Sequence, residues 1–309
     1  MDGLLLVNKP AGITSHEVVK KVRNLTGEKK VGHTGTLDPA AQGLLLVCMG
    51  RATKLTPFLQ ELDKTYQGKI IFGITTASFD EEGEVIEEKD ASSLTEHEVR
   101  AIFCRFQGRV SQTPPMYSAI HWQGERLYNI ARKGQKIKIS PRPVYIYELK
   151  LTQFSPGIHP EASFELRCSK GTYVRSLCHD IGESSGYGAY QAFLWRTRVG
   201  PFLLTEARDL KEIEQVVERS ELGKLLFSPA KTLPDFPKIL VKKEAEKLIK
   251  WGRPLYISHI AHLPSNLEKG DRVRFCSEGD ELLAVGVALQ SGSHFMKDKV
   301  GFKYLRVLA

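Results

Sequence analysis

The sequence of 309 residues has no long hydrophobic run and few cysteines, and these two shortages exclude several classes of protein. No stretch approaches the ~18 consecutive apolar residues of a membrane-spanning helix, so we expect no membrane partner. The segment Met1–Pro10 has no basic start, and its apolar run Leu4–Val7 is too short for the core of a secretory signal peptide. We therefore expect the protein to work in the cytoplasm.

The five cysteines include no C-x-x-C pair, which argues against a disulfide scaffold and against a zinc ribbon. In a reducing cytosol such residues are usually small buried apolar side chains. We expect this for all five, which are Cys48, Cys104, Cys168, Cys178 and Cys276. We also expect no metal and no cofactor, because no cluster of ligand residues is visible in the sequence.

Positive charge is in excess, since 44 Lys and Arg residues face 36 Asp and Glu residues, for a net charge of +8. Such an excess favours polyanionic partners such as nucleic acid. The segment 121–143 concentrates it around the aromatic residues Trp122 and Tyr128, with Glu125 as its one acid. The six basic residues of this segment are Arg126, Arg132, Lys133, Lys136, Lys138 and Arg142.

This basic segment has two interpretations. Cations attract phosphates and aromatic faces stack on bases, so the composition is typical of an RNA-binding surface. It is equally typical of a solvated hairpin on the protein surface, and charge alone does not separate the two.

Hydrophobic periodicity predicts a mixture of buried strands and amphipathic helices. The runs Leu4–Val7 and Leu44–Val47 are typical of fully buried strands. Apolar residues at helical spacing follow Thr14, which is placed to cap a helix. Residues 164–168 alternate between apolar and charged side chains, as in a half-buried strand, and a further helix is predicted to start near Tyr173.

Two polar segments are predicted to be ordinary surface features. Residues 80–84 form an acidic turn that we expect to be solvated, because it lacks the spacing of a calcium-binding loop. Ser93 is followed three residues later by Glu96, so we expect Ser93 to cap the helix that comes next.

The C-terminal part is predicted to be a small β-rich unit. Three prolines within Leu226–Pro237 indicate a linker or an extended crossover. After a short predicted helix at Lys242–Trp251, the segments Arg272–Phe275 and Leu282–Leu289 flank a polar turn, which indicates a hairpin.

The loop Gly32–Pro39, with the sequence GHTGTLDP, is the strongest candidate for chemistry. Its two glycines let the backbone lie close to a ligand. Pro39 restricts the backbone of Asp38, so this carboxylate stands on a stiff loop just before a buried strand. An acid held in this way can act as a general base or a nucleophile. The alternative is that Asp38 only caps a turn, as Asp-Pro pairs often do.

Five strings, in order along the chain, resemble the TruB family of bacterial tRNA pseudouridine synthases. They are NKPAGITS, GHTGTLDPAAQGLL, KTYQGKIIFG, PPMYSAIHWQGERLY and SKGTYVRSLCHDIG. The GHTGTLDP string is specific to this group and its archaeal and eukaryotic relatives. Near the C-terminus, GDRVRF and GDELLAVGVAL resemble a PUA domain, an RNA-binding module often fused to such enzymes.

The resemblance implies an RNA isomerase that converts the T-loop uridine at position 55 of tRNA to pseudouridine after flipping it out of the loop. The family's essential aspartate corresponds to Asp38, its uracil-stacking tyrosine to Tyr66, and the arginine that pairs with the aspartate to Arg175. Tyr173 would line the pocket, and His33 would fill the space that the flipped nucleotides leave.

Two further segments gain a role from the same resemblance. Lys9 belongs to a motif that packs beside the catalytic loop. The basic segment 121–143 matches an insertion that clamps the RNA arm, which favours the RNA-binding interpretation of its charge.

The implied fold is α/β (α+β), with the mixed, largely antiparallel central sheet of the pseudouridine synthase fold and a small β-barrel-like PUA domain. We expect the catalytic domain at residues 1–233, including the insertion at about 121–143, and the PUA domain at residues 234–309. The expected partner is the T-arm stem-loop of tRNA, and we expect a monomer. Two other functions remain open: a non-catalytic chaperone that folds tRNA, and a synthase that depends on a guide RNA.

Overall fold

The structure is a computed structural model that describes residues 1–118, 120–122, 124–127, 130, 133–135, 137–291 and 300–308. The strands are β1 (Gly3–Lys9), β2 (Val31–His33), β3 (Gln42–Met49), β4 (Lys64–Phe72), β5 (Ile74–Thr76), β6 (Val85–Glu88), β7 (Gly108–Gln112), β8 (His121–Trp122), β9 (Glu125–Arg126), β10 (Arg142–Ser155), β11 (Glu161–Cys168), β12 (Ala189–Val199), β13 (Phe202–Leu203), β14 (Leu226–Phe227), β15 (Lys238–Val241), β16 (Ile260–His262), β17 (Arg272–Cys276), β18 (Leu282–Ala288) and β19 (Phe302–Val307).

The α-helices in the same residues are α1 (Ser15–Thr26), α2 (Thr56–Leu59), α3 (Glu96–Arg105), α4 (Val174–Ser185), α5 (Leu210–Glu218) and α6 (Glu246–Lys250). Short 3₁₀ turns connect several of these elements. None of the helices in the described ranges is long and apolar enough to cross a membrane.

One large sheet dominates the described residues, with the strand order β14-β1-β3-β12-β4-β11-β10-β7 and with β2 and β13 added beside β3 and β12. Its pairs are antiparallel except for β3 with β12, which run parallel. The expectation of a mixed, largely antiparallel central sheet is therefore confirmed.

The two runs predicted as buried strands lie side by side in this sheet. β1 and β3 pair over seven residues, from Gly3 opposite Met49 to Lys9 opposite Gly43. Almost every side chain along both strands is buried. Strands covered on both faces have no need for an apolar–polar alternation, which explains why their sequences read as continuous apolar runs.

Two pairs of helices cover this sheet. α1 and α5 pack on β1 and β3 through residues such as Val18, Val22 and Ile213. α3 and α4 pack on the other half of the sheet through residues such as Val99 and Leu177. The loops that lie between the pair α1 and α5 and the pair α3 and α4 are therefore held by helices that are packed on the sheet.

A second sheet forms the C-terminal unit, in the order β16-β15-β17-β18-β19. The predicted hairpin is present as the antiparallel pair β17–β18. This unit shares an apolar core with the large sheet, because Leu282, Val285 and Leu308 pack in one cluster with Leu44 and Leu46. The segment Leu226–Pro237 is neither a free linker nor an extended crossover: its first two residues form β14 beside β1, Pro229–Lys231 form a 3₁₀ turn, and Ala230 and Leu233 are buried in the shared cluster.

Two expectations about single residues are wrong. Ser93 does not cap α3; Thr95 does, because its hydroxyl accepts from the Glu98 N–H and the Glu98 carboxylate accepts from the Thr95 N–H. The sequence contains the capping-box pattern twice, first as Ser93 with Glu96 and then as Thr95 with Glu98. The second pair is the one that lies at the start of the helix. Four of the cysteines are buried, but Cys104 is exposed because it lies on the outer side of α3.

Candidate active site

A row of side chains crosses the middle of the large sheet and forms the base of the site. Lys9 is paired with Gly43, Gly43 with Arg196, and Arg196 with Tyr66, on four neighbouring strands. Residues paired across strands project from the same face. Lys9, Arg196 and Tyr66 therefore stand next to one another, and the glycine between them leaves room for the two long cations.

The loop that carries Asp38 lies over this row and is held by hydrogen bonds to its backbone. The Ser15 hydroxyl, in the first turn of α1, accepts from the Leu37 N–H at 2.8 Å and donates to the Leu37 carbonyl oxygen at 3.0 Å. The Ala41 N–H donates to the Asp38 carbonyl oxygen at 3.1 Å. The stiff loop expected from the Asp-Pro pair is thus also fixed by contacts on both sides of Asp38.

Arg196 is the main support of this loop, and sequence reasoning missed it. Its guanidinium is buried and donates to three carbonyl oxygens, those of Leu44 at 2.7 Å, Gly35 at 3.1 Å and Thr36 at 3.4 Å. It therefore ties β12 to the loop and to β3, the strand that follows the loop. Arg196 occupies a buried position of β12, but the surrounding sequence is that of an ordinary amphipathic strand and offered no signal for its role.

Lys9 holds a later part of the same loop. Its side chain is fully buried, and its Nζ donates to the carbonyl oxygens of Pro10 at 2.9 Å and Pro39 at 3.0 Å. Burial lowers the pKa of Lys9 to about 8, although the nearby Asp38 carboxylate acts in the opposite direction. The structure therefore places Lys9 beside the catalytic-loop candidate, as the resemblance implied.

Arg175 joins Asp38 to a second carboxylate. It lies in the first turn of α4, two residues after Tyr173, which is the residue at the N-terminal boundary of that helix. Its Nη2 is 3.3 Å from Asp38 Oδ1 and donates to the Tyr117 carbonyl oxygen at 2.6 Å. Its Nη1 is 3.5 Å from Asp80 Oδ2. The predicted pairing of Arg175 with Asp38 is therefore present in the geometry.

The expectation of a solvated acidic turn at residues 80–84 is wrong for Asp80, although Glu81, Glu82 and Glu84 are exposed. Asp80 is only 3% exposed, and its carboxylate contacts Arg175, the Ser78 hydroxyl and the Glu82 N–H. A buried carboxylate needs a cation or hydrogen-bond donors, and this one has both. The surrounding sequence, DEEGE, is rich in acids and gives no indication that Asp80 is buried. The burial results from a helix almost a hundred residues further along the chain.

Asp38 itself remains within reach of a ligand, since 35% of its side chain is exposed while Arg175 behind it is 6% exposed. Burial raises the pKa of the Asp38 carboxyl, Arg175 and Lys9 lower it, and the Asp80 carboxylate raises it. The cations in contact with the loop therefore offset part of the cost of keeping a charge in this place. The net effect is a raised pKa for Asp38, because burial is the largest of these influences.

The remaining predicted pocket residues are aromatic. Tyr66 is 7% exposed, and burial raises its pKa to about 12, so it stays a neutral phenol. Burial also raises the pKa of Tyr173, whose backbone is bound in both directions by the Gln112 side-chain amide. His33, on β2, is half-buried, and burial lowers its pKa. All three rings are uncharged near neutral pH and can pack on a base.

The basic segment is a separate surface feature. Its described part contains the hairpin β8–β9, in which Arg126 is paired with His121. Lys133 forms an ion pair with Glu125 at 2.6 Å, and Lys138 and Arg142 are exposed. Arg142 lies close enough to Tyr173 to oppose the rise in the Tyr173 pKa that burial causes. Two of the predicted RNA contacts, Arg132 and Lys136, and the aromatic residue Tyr128 fall outside the described residues.

No group of three or more metal-ligating side chains occurs within the residues that the structure describes. The chemistry that this arrangement supports uses a carboxylate, a fixed guanidinium and stacking rings. Such a set suits a reaction on a flat uncharged ring that is delivered to Asp38 and held by aromatic contacts.

Known protein families match most of the chain. The TruB family pseudouridylate synthase N-terminal domain matches residues 23–174, the tRNA pseudouridylate synthase B C-terminal domain matches residues 175–229, and a PUA domain matches residues 237–301. The tRNA pseudouridine synthase B of Pelotomaculum thermopropionicum is 42% identical over 100% of this chain and 98% of its own length. That of Symbiobacterium thermophilum is 45% identical over 82% of each chain.

Solved structures show the same fold. A protein in the archaeal box H/ACA sRNP Nop10-Cbf5 complex aligns with a TM-score of 0.76 and 25% identity, covering 99% of this chain and 86% of that one. A chain of an H/ACA RNP bound to a substrate RNA containing 2′-deoxyuridine aligns with a TM-score of 0.77 at 23% identity, covering 99% of this chain and 85% of the other. The sequence and fold relationships together show that this chain is an enzyme of the TruB family of pseudouridylate synthases and that it carries a PUA domain.

Proposed function

We propose that this enzyme converts the T-loop uridine at position 55 of tRNA to pseudouridine, with Asp38 as the catalytic carboxylate. The observation that carries the proposal is the contact between a reachable Asp38 and a buried Arg175, at 3.3 Å. The tRNA substrate is supported by the relatives, which are named tRNA pseudouridine synthase B and match over nearly their whole length. The proposal includes no cofactor, because substrate and product contain the same atoms and no group or electron pair comes from outside the nucleotide.

The chemistry exchanges one bond for another within a single nucleotide. The bond from the ribose C1′ to the base N1 breaks, a bond from C1′ to C5 forms, and the hydrogen on C5 is replaced by one on N1. Asp38 would act as a nucleophile or base in its ionised form. Arg175 stabilises that form and fixes its direction, since a guanidinium keeps its charge at any ordinary pH.

Access to the uridine requires that it leave the loop, because a stacked base cannot turn over in place. Extrusion costs a few kcal/mol, and base–aromatic stacking returns about 1–3 kcal/mol per base. Tyr66 and Tyr173 are the proposed rings beside the flipped uracil, and His33 is proposed to occupy part of the space that it vacates. All three are neutral rings held on strands or at a helix end.

Two regions are proposed to bind the rest of the tRNA. The first is the basic segment, through Arg126, Lys133, Lys138 and Arg142 together with Arg132 and Lys136. The second is the PUA unit. We propose that the catalytic domain comprises residues 1–233 and the PUA domain residues 234–309. We further propose a cytoplasmic monomer that acts alone on the T-arm.

The test is to treat a T-arm transcript with the purified protein and to map pseudouridine, a change that does not alter mass, by chemical labelling and primer extension. We expect one product site. Asp38→Asn should lower the single-turnover rate by a factor of about 10²–10⁴ or more while RNA affinity is kept. Asp235→Asn, at an exposed aspartate, is the matched control and should keep the rate.

The outcomes separate the alternatives. A product that persists in Asp38→Asn would overturn the catalytic role of that residue. Binding without any product from the wild type would favour a tRNA-folding chaperone. Product that appears only when a guide RNA or other proteins are added would favour a guide-dependent synthase, and the fold shared with the archaeal complex gives that outcome a structural basis.

A further inference from the structure

The turn Ser78–Asp80 brings Asp80 to Arg175, and its middle residue has an unusual backbone. Phe79 has a φ of 67°, in the left-handed region that residues with a side chain rarely adopt. Such a conformation persists only where the surrounding structure holds it. Besides the Thr76 hydroxyl, which donates to the Asp80 carbonyl oxygen at 2.7 Å, the position of Asp80 therefore depends on what holds Phe79.

Two contacts from outside the turn hold Phe79. Its ring stacks on the imidazole of His179, with the ring centroids 3.9 Å apart and the planes within 12° of parallel. Its carbonyl oxygen accepts from the Gln191 N–H at 3.0 Å, which joins the turn to β12. The Nδ1 atom of His179 is buried without a hydrogen-bond partner among the described residues.

The stacked histidine and the arginine of the site belong to one face of one helix. Arg175 and His179 are four residues apart on α4, and side chains at this spacing are neighbours on a helix surface. Arg175 contacts the Ser78 carbonyl oxygen and the Asp80 carboxylate, each at 3.5 Å. The helix therefore holds three consecutive residues of the turn, the first and third through Arg175 and the second through His179.

We propose that Phe79 and His179 are positioning residues for the isomerisation. Their stacked rings fix the turn so that Asp80 stays against Arg175, and Arg175 in consequence stays directed at Asp38. The inference rests on the proposed function, and it adds two residues that act through Asp80 rather than on the uridine.

The first experiment measures single-turnover rates at saturating enzyme, with RNA affinity measured separately, for Phe79→Ala and His179→Ala. Each should lower the rate by a factor of about 10–100, since a small displacement of a reacting group has effects of this size, and neither should change the affinity. The double variant should be no slower than the slower single variant, because both remove the same contact. His179→Phe keeps a flat ring and should restore most of the rate.

A second measurement separates positioning from general stability. In an Asp80→Asn background, Phe79→Ala and His179→Ala should each change the rate less than about twofold, because the residue they position is already disabled. Amide exchange of Gln191 should be faster in both variants, since its partner is the Phe79 carbonyl oxygen. Phe193→Ala, at an exposed phenylalanine on β12, is the control and should match the wild type in rate and exchange.

The proposal is overturned if either ring can be removed with the wild-type rate unchanged, or if the loss is equally large in the Asp80→Asn background. If Phe79→Ala does not fold, Phe79→Gly removes the ring while tolerating the left-handed backbone, and the same outcomes apply. Failure of the proposed function gives a different result, because a wild type that forms no pseudouridine would still show the change in Gln191 exchange.

Discussion

Lys9 Nζ lies 3.0 Å from the carbonyl oxygen of Pro39, so a fully buried lysine of β1 holds the residue that directly follows Asp38. A second bond to the Pro10 carbonyl oxygen fixes the ammonium between two loops. Together with Arg196, it holds the catalytic-loop candidate through two cations that donate to backbone oxygens of the loop. The orientation of Asp38 is thus set by the protein before any RNA arrives.

The buried ammonium should make the stability of the protein depend on pH. Burial lowers the pKa of Lys9 from the ordinary 10.5 to about 8. Between these pH values the unfolded chain holds a proton that the folded chain has lost, so raising the pH favours the folded state. Relative to Lys9→Met, the free energy of unfolding of the wild type should rise by about 2 kcal/mol from about pH 8 to about pH 9.5.

Urea titrations of both proteins at the two pH values measure this difference. Subtracting the variant cancels the titration of groups that both proteins share, including the buried cysteines. An unchanged difference between the two proteins across this range would show that Lys9 keeps an ordinary affinity for its proton, and the burial argument would be wrong.

Arg196 should matter for chemistry although it is placed to bind backbone rather than RNA. Arg196→Lys keeps a charge but loses the planar fork that reaches the Leu44, Gly35 and Thr36 carbonyl oxygens together. We expect the single-turnover rate to fall by a factor of about 10–100 with little change in RNA affinity, because the loop is displaced while the RNA surface is intact.

Arg198→Met provides the matched control for that prediction. Arg198 lies two residues further along β12, is exposed, and donates to the Gly200 carbonyl oxygen. Its loss should leave the rate unchanged. Equal losses from the two variants would mean that β12 responds to any lost arginine, and the specific role of Arg196 would be rejected.

The parts of the site that could be predicted from the sequence are those encoded locally. The run Leu44–Val47, the helix after Thr14 and the Asp-Pro pair at Asp38 each depend on neighbouring residues, and all three elements are found where expected. The pairing of Asp38 with Arg175 came from family resemblance, because no local rule joins residues so far apart in the chain.

Asp80 and Arg196 could not be predicted, for a physical reason. Asp80 is buried by α4, and Arg196 is bound to the loop by sheet pairing between β12 and β3. Their sequence surroundings are an ordinary acidic turn and an ordinary amphipathic strand. A buried charge becomes recognisable only when its distant partner is known, so such residues are where sequence reasoning is weakest.

The basic segment should show its function in the salt dependence of RNA binding. If Lys138 contacts a phosphate, log K should fall with log salt by about 0.7–0.9 for that contact. Lys138→Glu should therefore reduce the slope by at least that amount, and adding Lys136→Glu should reduce it further. Lys211→Glu on α5, an exposed lysine outside the segment, should leave the slope unchanged. An unaltered slope in the Lys138 variants would count against the clamp.

The C-terminal unit should contribute to stability as well as to RNA affinity. Truncation after Leu233 would remove Leu282, Val285 and Leu308 from the apolar cluster that they share with Leu44. Exposed apolar surface costs about 25 cal/mol per Å², so the remaining domain should unfold at a lower temperature and bind a hydrophobic dye. Calorimetry and dye fluorescence measure both effects. A truncated chain with an unchanged unfolding temperature, no dye binding and weakened tRNA affinity would show instead that the unit serves RNA binding alone.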